Sequence, residues 1–340
     1  MSAPPAPDPV TEAVLAWAVN KVGPGARVVD VQALHDWGPW WLRIEYDGSI
    51  RNAVLRLGDR HSPQLAANAA ALRFAAENSV AAPRLLASEL HGETLGFAAS
   101  LETALPGNSA LPPTVTPARL REAGAAIAKV HAVRLDPRPD LPLRVRPTQV
   151  DDRAMERRWA TLFQAATESE RDAVIAALCE LTGWTPKHAR GVVSAPHSTP
   201  LLQLADERIR EIDRPHGETV FLHGDVWTGN MRWEGDTCTA LIDWFCAGAG
   251  DPGVDLGELR MQMGYQYGLH AAGHVLDGWQ HEAGREATDV AYWDTVAALN
   301  TPVDMAGWPA FDSHGNALDQ QAVIDRRDAF LRSALDRLPP

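Results

Sequence analysis

Lysine is scarce in this chain. Only Lys21, Lys129 and Lys187 are lysines among the 31 basic residues, and the other 28 are arginines. Arginine does not replace lysine where chemistry needs a compact, deprotonatable point charge. Any mechanism that requires a lysine therefore has three candidates, and any other cationic role falls to arginine.

Positive charge and long apolar runs are also lacking. The 44 acidic residues outnumber the basic ones and give a formal net charge of −13. An acidic chain argues against nucleic acids and anionic membranes as partners, since both are bound through a basic face. No apolar run approaches the length of about 18 residues that a membrane-spanning helix requires. We expect neither nucleic-acid nor membrane binding.

Cysteine is too rare to supply a disulfide framework. The three cysteines, Cys179, Cys238 and Cys246, are an odd number and fit a reducing compartment. The first ten residues, MSAPPAPDPV, have neither the basic nor the apolar region of a secretory signal. We therefore expect a cytoplasmic protein. At 340 residues and 45% hydrophobic content, the chain is long enough for two domains with sizeable cores.

The predicted elements divide the chain into two parts. Five short segments rich in apolar and β-branched or aromatic residues are predicted as strands: 28–34, 40–46, 50–57, 83–89 and 96–102. Asp47-Gly48 is a strong hairpin signal, and helices are expected near 8–20 and 62–78. After Pro106-Gly107 helical patterns dominate. We predict an α+β fold with an antiparallel-sheet lobe over 1–104 and a mainly helical lobe over 105–340.

One β-rich island interrupts the helical part and carries three polar side chains at the ends of its apolar segments. Asp225 and Asn230 lie in the segment HGDVWTGN, and Asp243 follows a later apolar run. Phosphoryl transfer from ATP needs a carboxylate to orient and deprotonate the acceptor hydroxyl, and oxygen ligands for Mg²⁺. An Asp followed five residues later by an Asn has the spacing of the protein-kinase catalytic loop. Turn and cap residues are the alternative interpretation of each residue alone.

The segments HGDVWTGN and LIDWFCAGAGDPGVDL resemble those of the aminoglycoside phosphotransferase and choline kinase superfamily. These proteins are small-molecule kinases of the two-lobed protein-kinase-like fold. The resemblance implies that ATP or GTP donates the phosphate, that Asp225 is the catalytic base, and that Asn230 and Asp243 bind Mg²⁺. It also implies that Asp251 and Asp255 form a structural brace behind the metal loop.

The resemblance is weaker in the sheet lobe. Arg56 falls on the strand position of the kinase lysine and is expected to hold the nucleotide phosphates. Asn68 stands where the family usually has a helix glutamate, and an amide cannot neutralise Arg56. Either another group holds Arg56 or nucleotide binding is weaker. If the two residues face each other, Asn68→Glu is predicted to tighten nucleotide binding.

The remaining nucleotide contacts are implied by position in the resemblance. Gly38 is the single glycine of the segment 36–41 and is assigned to the phosphates. Ser100, Glu102 and Thr103 are expected in an interlobe linker whose backbone faces the base. His131 matches a recurrent helix histidine, and we expect it to be packed in the core.

The acceptor side is suggested by an aromatic residue and by charge. Trp227, inside the catalytic loop, and Glu258 are the predicted acceptor contacts. Residues 251–340 carry −8 of the net charge, which favours a cationic acceptor such as an aminoglycoside or another antibiotic. A solvated helical surface is an equally good interpretation of that charge. The alternatives are a kinase of choline, homoserine or a fructosamine-type amine, and a non-catalytic nucleotide-binding module. The sequence predicts no oligomeric state.

Overall fold

The chain divides into two compact units that interleave along the sequence. The computed structural model describes residues 10–35, 38–137, 141, 143–146, 154–182, 184–194, 198–212 and 217–339. The first unit comprises Met1–Leu111, Lys129–Val145 and Thr219–Ala249, and the second comprises Pro112–Ala128, Arg146–Glu218 and Gly250–Pro340. This division differs from a single boundary at 104/105, because the predicted catalytic island belongs to the sheet-containing unit.

The first unit is built on a five-stranded antiparallel sheet with the order β1-β2-β3-β5-β4. Its elements in chain order are α1 (Glu12–Val22), β1 (Arg27–Ala33), β2 (Trp40–Tyr46), β3 (Ser49–Gly58), α2 (Pro63–Glu77), β4 (Leu85–Glu89) and β5 (Ala98–Thr103). The side chain of Thr11 caps α1, and Ser62 caps α2 just before a proline at its first position. The Asp47-Gly48 turn joins β2 to β3, and Asp47 and Gly48 both have positive φ, as predicted from the sequence.

The two faces of β3 and β5 have different surroundings. Leu55 and Leu101 are paired across the strands and are fully buried in the apolar core beneath α1. Because side chains alternate along a strand, Arg56 and its partner Ser100 lie on the opposite face. Glu102 lies on that same face, two residues further along β5. The sheet therefore places an apolar core on one side and charged residues on the other.

Short strands in and around the predicted catalytic island make up most of the rest of the first unit. They are β6 (Arg144–Arg146), β7 (Val220–Leu222), β8 (Met231–Glu234), β9 (Thr237–Leu241) and β10 (Gly248–Gly250). The last residues of β6 and β10 fall in the second unit. The strands β8 and β9 form a hairpin, and β6, β10 and β7 form a small sheet in that order. Two 3-10 turns, Thr228–Asn230 and Trp244–Cys246, lie just before and after the hairpin. The hairpin thus brings Asn230 and Asp243 to the same end.

The second unit is helical. Its helices are most of α3 (Pro117–His131), followed by α4 (Ala154–Ala165), α5 (Glu168–Thr182), α6 (Pro186–Ser194), α7 (Pro200–Glu211), α8 (Gly253–Tyr267), α9 (Leu269–Ala283), α10 (Val290–Leu299) and α11 (Gln320–Leu335). One core gathers α7, α8, α10 and α11, and a smaller one gathers α4, α5 and α6. Within the described part of the chain, no helix is both long and apolar enough to cross a membrane.

Candidate active site

Arg56 is the cationic centre of the site and is held from three sides. Its Nε donates to Glu102 Oε1 at 3.1 Å, and its Nη1 lies 3.2 Å from Asp243 Oδ1. The guanidinium also covers the ring of Phe245, 4.7 Å from the centroid, which is cation–π geometry. Arg56 is only 8% exposed, so two carboxylates balance a charge that is almost fully buried.

Asn68 does not face Arg56 as an ion-pair partner. It lies on α2, fully buried, and its Nδ2 donates to Glu102 Oε2 at 3.1 Å. Its Oδ1 accepts the backbone N–H of Trp244 at 3.2 Å. The sequence left two alternatives open, and the structure shows the first of them, in which another group holds Arg56. Glu102 on β5, and not a residue of α2, supplies a counter-charge.

The predicted role of Ser100, Glu102 and Thr103 as a linker does not fit the sheet. All three lie in β5, between β3 and β4, and their backbone pairs with both neighbouring strands. Thr103 in addition donates its N–H to Arg84 O and accepts from Arg84 N through its hydroxyl, both at 2.9 Å. Their backbone groups are therefore used within the sheet, and the connecting segment begins at residue 104.

Asp225 and Asn230 are in direct contact at the predicted catalytic loop. The amide Nδ2 of Asn230 donates to Asp225 Oδ2 at 3.1 Å and to the Asp225 carbonyl at 2.9 Å. Asn230 is buried, whereas Asp225 is half-buried at the loop. The orientation of Asp225 is thus set by an amide that itself has little freedom, as a positioned general base requires.

Asp243 follows β9 in a left-handed backbone conformation, with φ of 70°. The N–H of Ile242, one residue earlier, donates to the carbonyl of Asn230 at 2.8 Å, so the hairpin fixes Asn230 and Asp243 relative to each other. Asp243 Oδ1 is buried and accepts no hydrogen bond from the described residues, although Arg56 is close to it. The cation that this oxygen faces in the structure is the guanidinium of Arg56, 3.2 Å away.

Trp227 is exposed at the catalytic loop. Its side chain is 43% exposed, and its indole lies against Gly229, where an added Cβ would be 2.2 Å from the ring. The backbone carbonyl of Trp227 accepts the N–H of Asn230 at 2.9 Å. The ring therefore lies over the loop that joins Asp225 to Asn230.

Two supports of this loop were not predicted from the sequence. Trp244 is fully buried and stacks on Phe221, with centroids 5.1 Å apart, and it also contacts the ring of His223 at 4.6 Å. His223 Nε2 is hydrogen-bonded to the carbonyl of Ile242 at 2.9 Å. Aromatic and histidine residues flanking the predicted motif were the available signal, but only the fold pairs them.

Arg232 on β8 ties the segment after β5 to the hairpin. Its guanidinium donates to the carbonyls of Leu105, Pro106 and Gly107 and to the hydroxyl of Ser109. Burial lowers the pKa of the Arg232 guanidinium below its ordinary value. One arginine thus orders the connection that leaves the sheet.

The phosphate assignment of Gly38 stays a prediction. Gly38 has φ of 84° in the β1–β2 turn, and its N–H donates to the His35 carbonyl at 3.1 Å. That N–H is therefore already used in this conformation. The neighbouring residues Asp36 and Trp37 lie outside the described residues.

The other predicted residues are found in helical surroundings. Asp251 accepts the N–H of Gly253, the first residue of α8, at 2.7 Å, and Asp255 is fully buried on that helix. Glu258 is half-buried on α8 in the second unit. His131 is 4% exposed, as expected for a packed histidine. Among the described residues, no cluster of three or more His, Cys, Asp or Glu side chains could hold a metal ion.

The chain belongs to the phosphotransferase enzyme family, whose model matches residues 39–297. The match covers strands β2 to β5 of the large sheet and the segment with Asp225, Asn230 and Asp243, and it confirms the resemblance derived from the sequence motifs. A comparison with curated proteins found no match.

Solved structures confirm the protein-kinase-like fold. A macrolide 2'-phosphotransferase, MphH from Brachybacterium faecium, is 19% identical and matches with a TM-score of 0.55 over 97% of this chain and 100% of its own. A putative aminoglycoside phosphotransferase from Ralstonia eutropha JMP134 is 14% identical, with a TM-score of 0.59 over 96% and 98% of the two chains. Spectinomycin phosphotransferase APH(9)-Ia, solved with ADP and spectinomycin, is 13% identical, with a TM-score of 0.54 over 96% and 94%.

Proposed function

We propose that the protein transfers the γ-phosphate of ATP or GTP to a hydroxyl of a small molecule. The observation that supports this is a continuous series of contacts within the first unit. Arg56 contacts Asp243, the hairpin joins Asp243 to Asn230, and Asn230 holds Asp225. A cation, two oxygen ligands and a base, the groups that phosphoryl transfer requires, are thus linked through one set of contacts.

In this proposal Asp225 orients the acceptor hydroxyl and takes its proton as the hydroxyl oxygen attacks the γ-phosphorus. The bond from that phosphorus to the β,γ-bridging oxygen breaks, and the nucleoside diphosphate leaves. Arg56 holds the phosphate oxygens of the nucleotide, and its Nη2 group takes no part in the contacts to Glu102 and Asp243. The amide of Asn230 keeps the Asp225 carboxylate aimed at the hydroxyl.

Asn230 and Asp243 are the residues that would hold Mg²⁺. Asn230 uses its amide nitrogen on Asp225, which leaves its oxygen as a ligand, and Asp243 offers its carboxylate, one oxygen of which also faces Arg56. Mg²⁺ prefers such hard oxygen ligands and commonly takes one or two from the protein. When bound there, the ion would supply charge neutralisation on the transferred phosphate.

We infer a small-molecule acceptor that has an apolar ring or a cationic group, with Trp227 as its aromatic contact; the role of Glu258 stays a prediction from the sequence. An exposed indole beside the base suits either of these groups. Phosphotransferases named for macrolides and spectinomycin have the same fold, which makes antibiotics the first class to test. Choline, homoserine and fructosamine-type amines are the metabolite alternatives. Neither nucleic acid nor membrane is part of this proposal.

A cytoplasmic location is part of the same proposal. The three cysteines form no disulfide among the described residues, which agrees with a reducing compartment. ATP and GTP are most available there.

The decisive experiment measures nucleoside diphosphate release by wild-type protein and by Asp225→Ala. The acceptor panel contains aminoglycosides, macrolides, peptide antibiotics, choline, homoserine and glycated amines. Loss of the general base is expected to lower kcat by about 10²–10⁴. The Kd for Mg·ATP, measured by calorimetry, is expected to stay close to wild type.

Asp30→Ala is the matched control, because it removes an exposed carboxylate from β1 of the same unit. Full turnover by Asp225→Ala would overturn the assignment of the base. Nucleotide binding without transfer to any acceptor would favour the non-catalytic module instead.

A further inference from the structure

The carboxylate that accepts from Arg56 Nε lies on the strand β5. The resemblance leads one to expect a glutamate on α2 in that role. We propose that Glu102 on β5 is the positioning carboxylate for Arg56 and that Asn68 on α2 orients Glu102. The inference deepens the proposed function and rests on Arg56 binding the nucleotide phosphates. In this role the side chain of Glu102 holds Arg56, whereas the sequence predicted a linker residue whose backbone faces the nucleotide base.

The two oxygens of Glu102 are divided between two partners. Oε1 accepts from Arg56 Nε at 3.1 Å, and Oε2 accepts from Asn68 Nδ2 at 3.1 Å. Glu102 is 2% exposed, so water does not supply alternative donors. A buried carboxylate needs both a counter-charge and hydrogen bonds, and here it has one partner of each kind.

The identity of residue 68 follows from its two neighbours. One is the carboxylate oxygen of Glu102, which only accepts, and the other is the backbone N–H of Trp244, which only donates. An amide has a separate donor atom and acceptor atom, so Asn68 meets both requirements at once. A glutamate at this position would place a second carboxylate against Glu102, so we now expect Asn68→Glu to weaken nucleotide binding rather than tighten it.

Asn68 also links the Glu102–Arg56 pair to Asp243, the proposed metal ligand. Trp244 directly follows Asp243, whose backbone is in a left-handed conformation. The amide of Asn68 therefore fixes the peptide next to Asp243 at the same time as it fixes Glu102. Because Arg56 contacts both Glu102 and Asp243, a single amide sets the positions of the two carboxylates on which Arg56 depends.

An isosteric exchange tests this arrangement. The variants are Asn68→Asp, Glu102→Gln and the two combined. Asn68→Asp sets two buried acceptors against each other, and Glu102→Gln sets two buried donors against each other. Each single variant should therefore have a lower midpoint of urea unfolding than the wild type. In the combined variant the new amide at position 102 would donate to the new carboxylate at position 68 and accept from Arg56. The midpoint should therefore return close to that of the wild type.

Nucleotide binding separates a positioning role from a merely structural one. The combined variant satisfies every hydrogen bond, but it moves the negative charge from the partner of Arg56 to the next residue. We expect the Kd for Mg·ATP to stay about tenfold weaker than wild type in Glu102→Gln and in the combined variant. If a single variant is too unstable to purify, the Kd of the combined variant can still be compared with that of the wild type.

Asn52→Asp is the control for added charge, since Asn52 is exposed on β3, the same strand as Arg56. It should leave both the midpoint and the Kd unchanged. A combined variant with wild-type Kd would overturn the positioning role of Glu102, and one that stays as unstable as the singles would overturn the pairing with Asn68. A wild-type protein that binds no nucleotide would overturn the proposed function, whereas a restored midpoint would still confirm the pairing.

Discussion

At the scale of single residues, the proposed acceptor contact Trp227 lies against Gly229. The indole of Trp227 fills the position that a Cβ at residue 229 would occupy, yet Trp227 remains 43% exposed. Gly229 is not in the left-handed region, so alanine fits its backbone. The substitution therefore acts on the ring of Trp227 rather than on the loop itself.

Gly229→Ala is expected to turn the indole away from the loop, because its atoms cannot lie about 2 Å from a methyl group. If Trp227 lines the acceptor pocket, Gly229→Ala and Trp227→Ala should both raise KM for the acceptor by about tenfold, the scale of one cation–π contact. Steady-state kinetics with the acceptor found in the screen measures this change.

Trp227→Phe is the matched control, since it keeps an aromatic ring and should retain most of the acceptor affinity. The Kd for Mg·ATP should be unchanged in all three variants. An unchanged acceptor KM in Gly229→Ala and Trp227→Ala would remove Trp227 from the acceptor pocket.

The residues of the site differ in how far the sequence predicts them. Asp225 and Asn230 are five residues apart in one loop, so their contact is local and their spacing is visible in the sequence. Glu102 contacts Arg56 across 46 residues and Asn68 across 34. Those contacts depend on the strand order β3-β5-β4 and on the register of β5, neither of which a motif specifies. The sequence therefore indicated that a partner of Arg56 was missing from α2 but not where it lay.

At the scale of elements, the turn between β4 and β5 is organised by one carboxylate. Glu89, at the end of β4, accepts from the backbone N–H groups of His91, Glu93, Thr94 and Leu95 at 3.2–3.3 Å. Partial burial acts to raise the pKa of Glu89, but these four hydrogen bonds together lower it below the ordinary value of 4.5. The ionised form of Glu89 is therefore the one that stabilises the turn.

The pH dependence of Glu89→Gln follows from that direction. A lowered pKa in the folded state means that the contribution to stability is present above pH 4.5 and is lost as the pH falls through the folded pKa. The free energy of unfolding of wild type should therefore exceed that of Glu89→Gln above pH 4.5, and the difference should shrink in more acidic solution.

Urea unfolding on both sides of pH 4.5 measures the difference. Glu93→Gln removes a carboxylate from the same turn but keeps the N–H that Glu93 donates to Glu89, so it should show no such dependence. A difference between wild type and Glu89→Gln that is independent of pH would contradict this account of the turn.

Most elements were predictable because their signals are local. The strands of the large sheet follow β-branched and aromatic runs, and α2 follows the predicted Ser62-Pro63 start. The first helix was predicted from residue 8, but α1 begins at Glu12 with Thr11 as its cap. The helix α6 was not predicted. It has only nine residues and contains Gly191, and a short helix with a central glycine is stabilised by packing against α4 and α5 rather than by its own propensity.

At the scale of the whole molecule, the division into units follows long-range contacts. The catalytic island follows more than a hundred residues of mainly helical chain, yet it belongs to the unit of the large sheet. Composition changes at Pro106-Gly107, and a single boundary there was the natural prediction. The contacts of Asn68 with Trp244 and of Arg56 with Asp243 join segments about 180 residues apart, which composition cannot indicate.

A buried ion pair lies among the helices of the second unit. Asp294 on α10 is fully buried. Its carboxylate accepts two hydrogen bonds from the Arg260 guanidinium, from Nε at 2.8 Å and from Nη2 at 2.9 Å. The third nitrogen of Arg260 donates to the carbonyl of Ala272 on α9 at 2.6 Å. Arg337 adds a further hydrogen bond to Asp294 at 2.8 Å. The pair thus joins α8, α9, α10 and the segment after α11.

Asp294→Ala is expected to lower the free energy of unfolding by about 3–5 kcal/mol, because it leaves the buried Arg260 without a counter-charge. Replacing both partners, as Arg260→Met with Asp294→Leu, should cost much less, since no uncompensated charge remains in the core. Asp325→Ala, which removes an exposed carboxylate from α11, should change stability by no more than about 0.5 kcal/mol. Urea unfolding of these variants shows whether the intact ion pair adds to the free energy of unfolding or whether only the loss of one partner lowers it. A double replacement as unstable as Asp294→Ala would show that the bidentate geometry contributes stability that apolar packing does not replace.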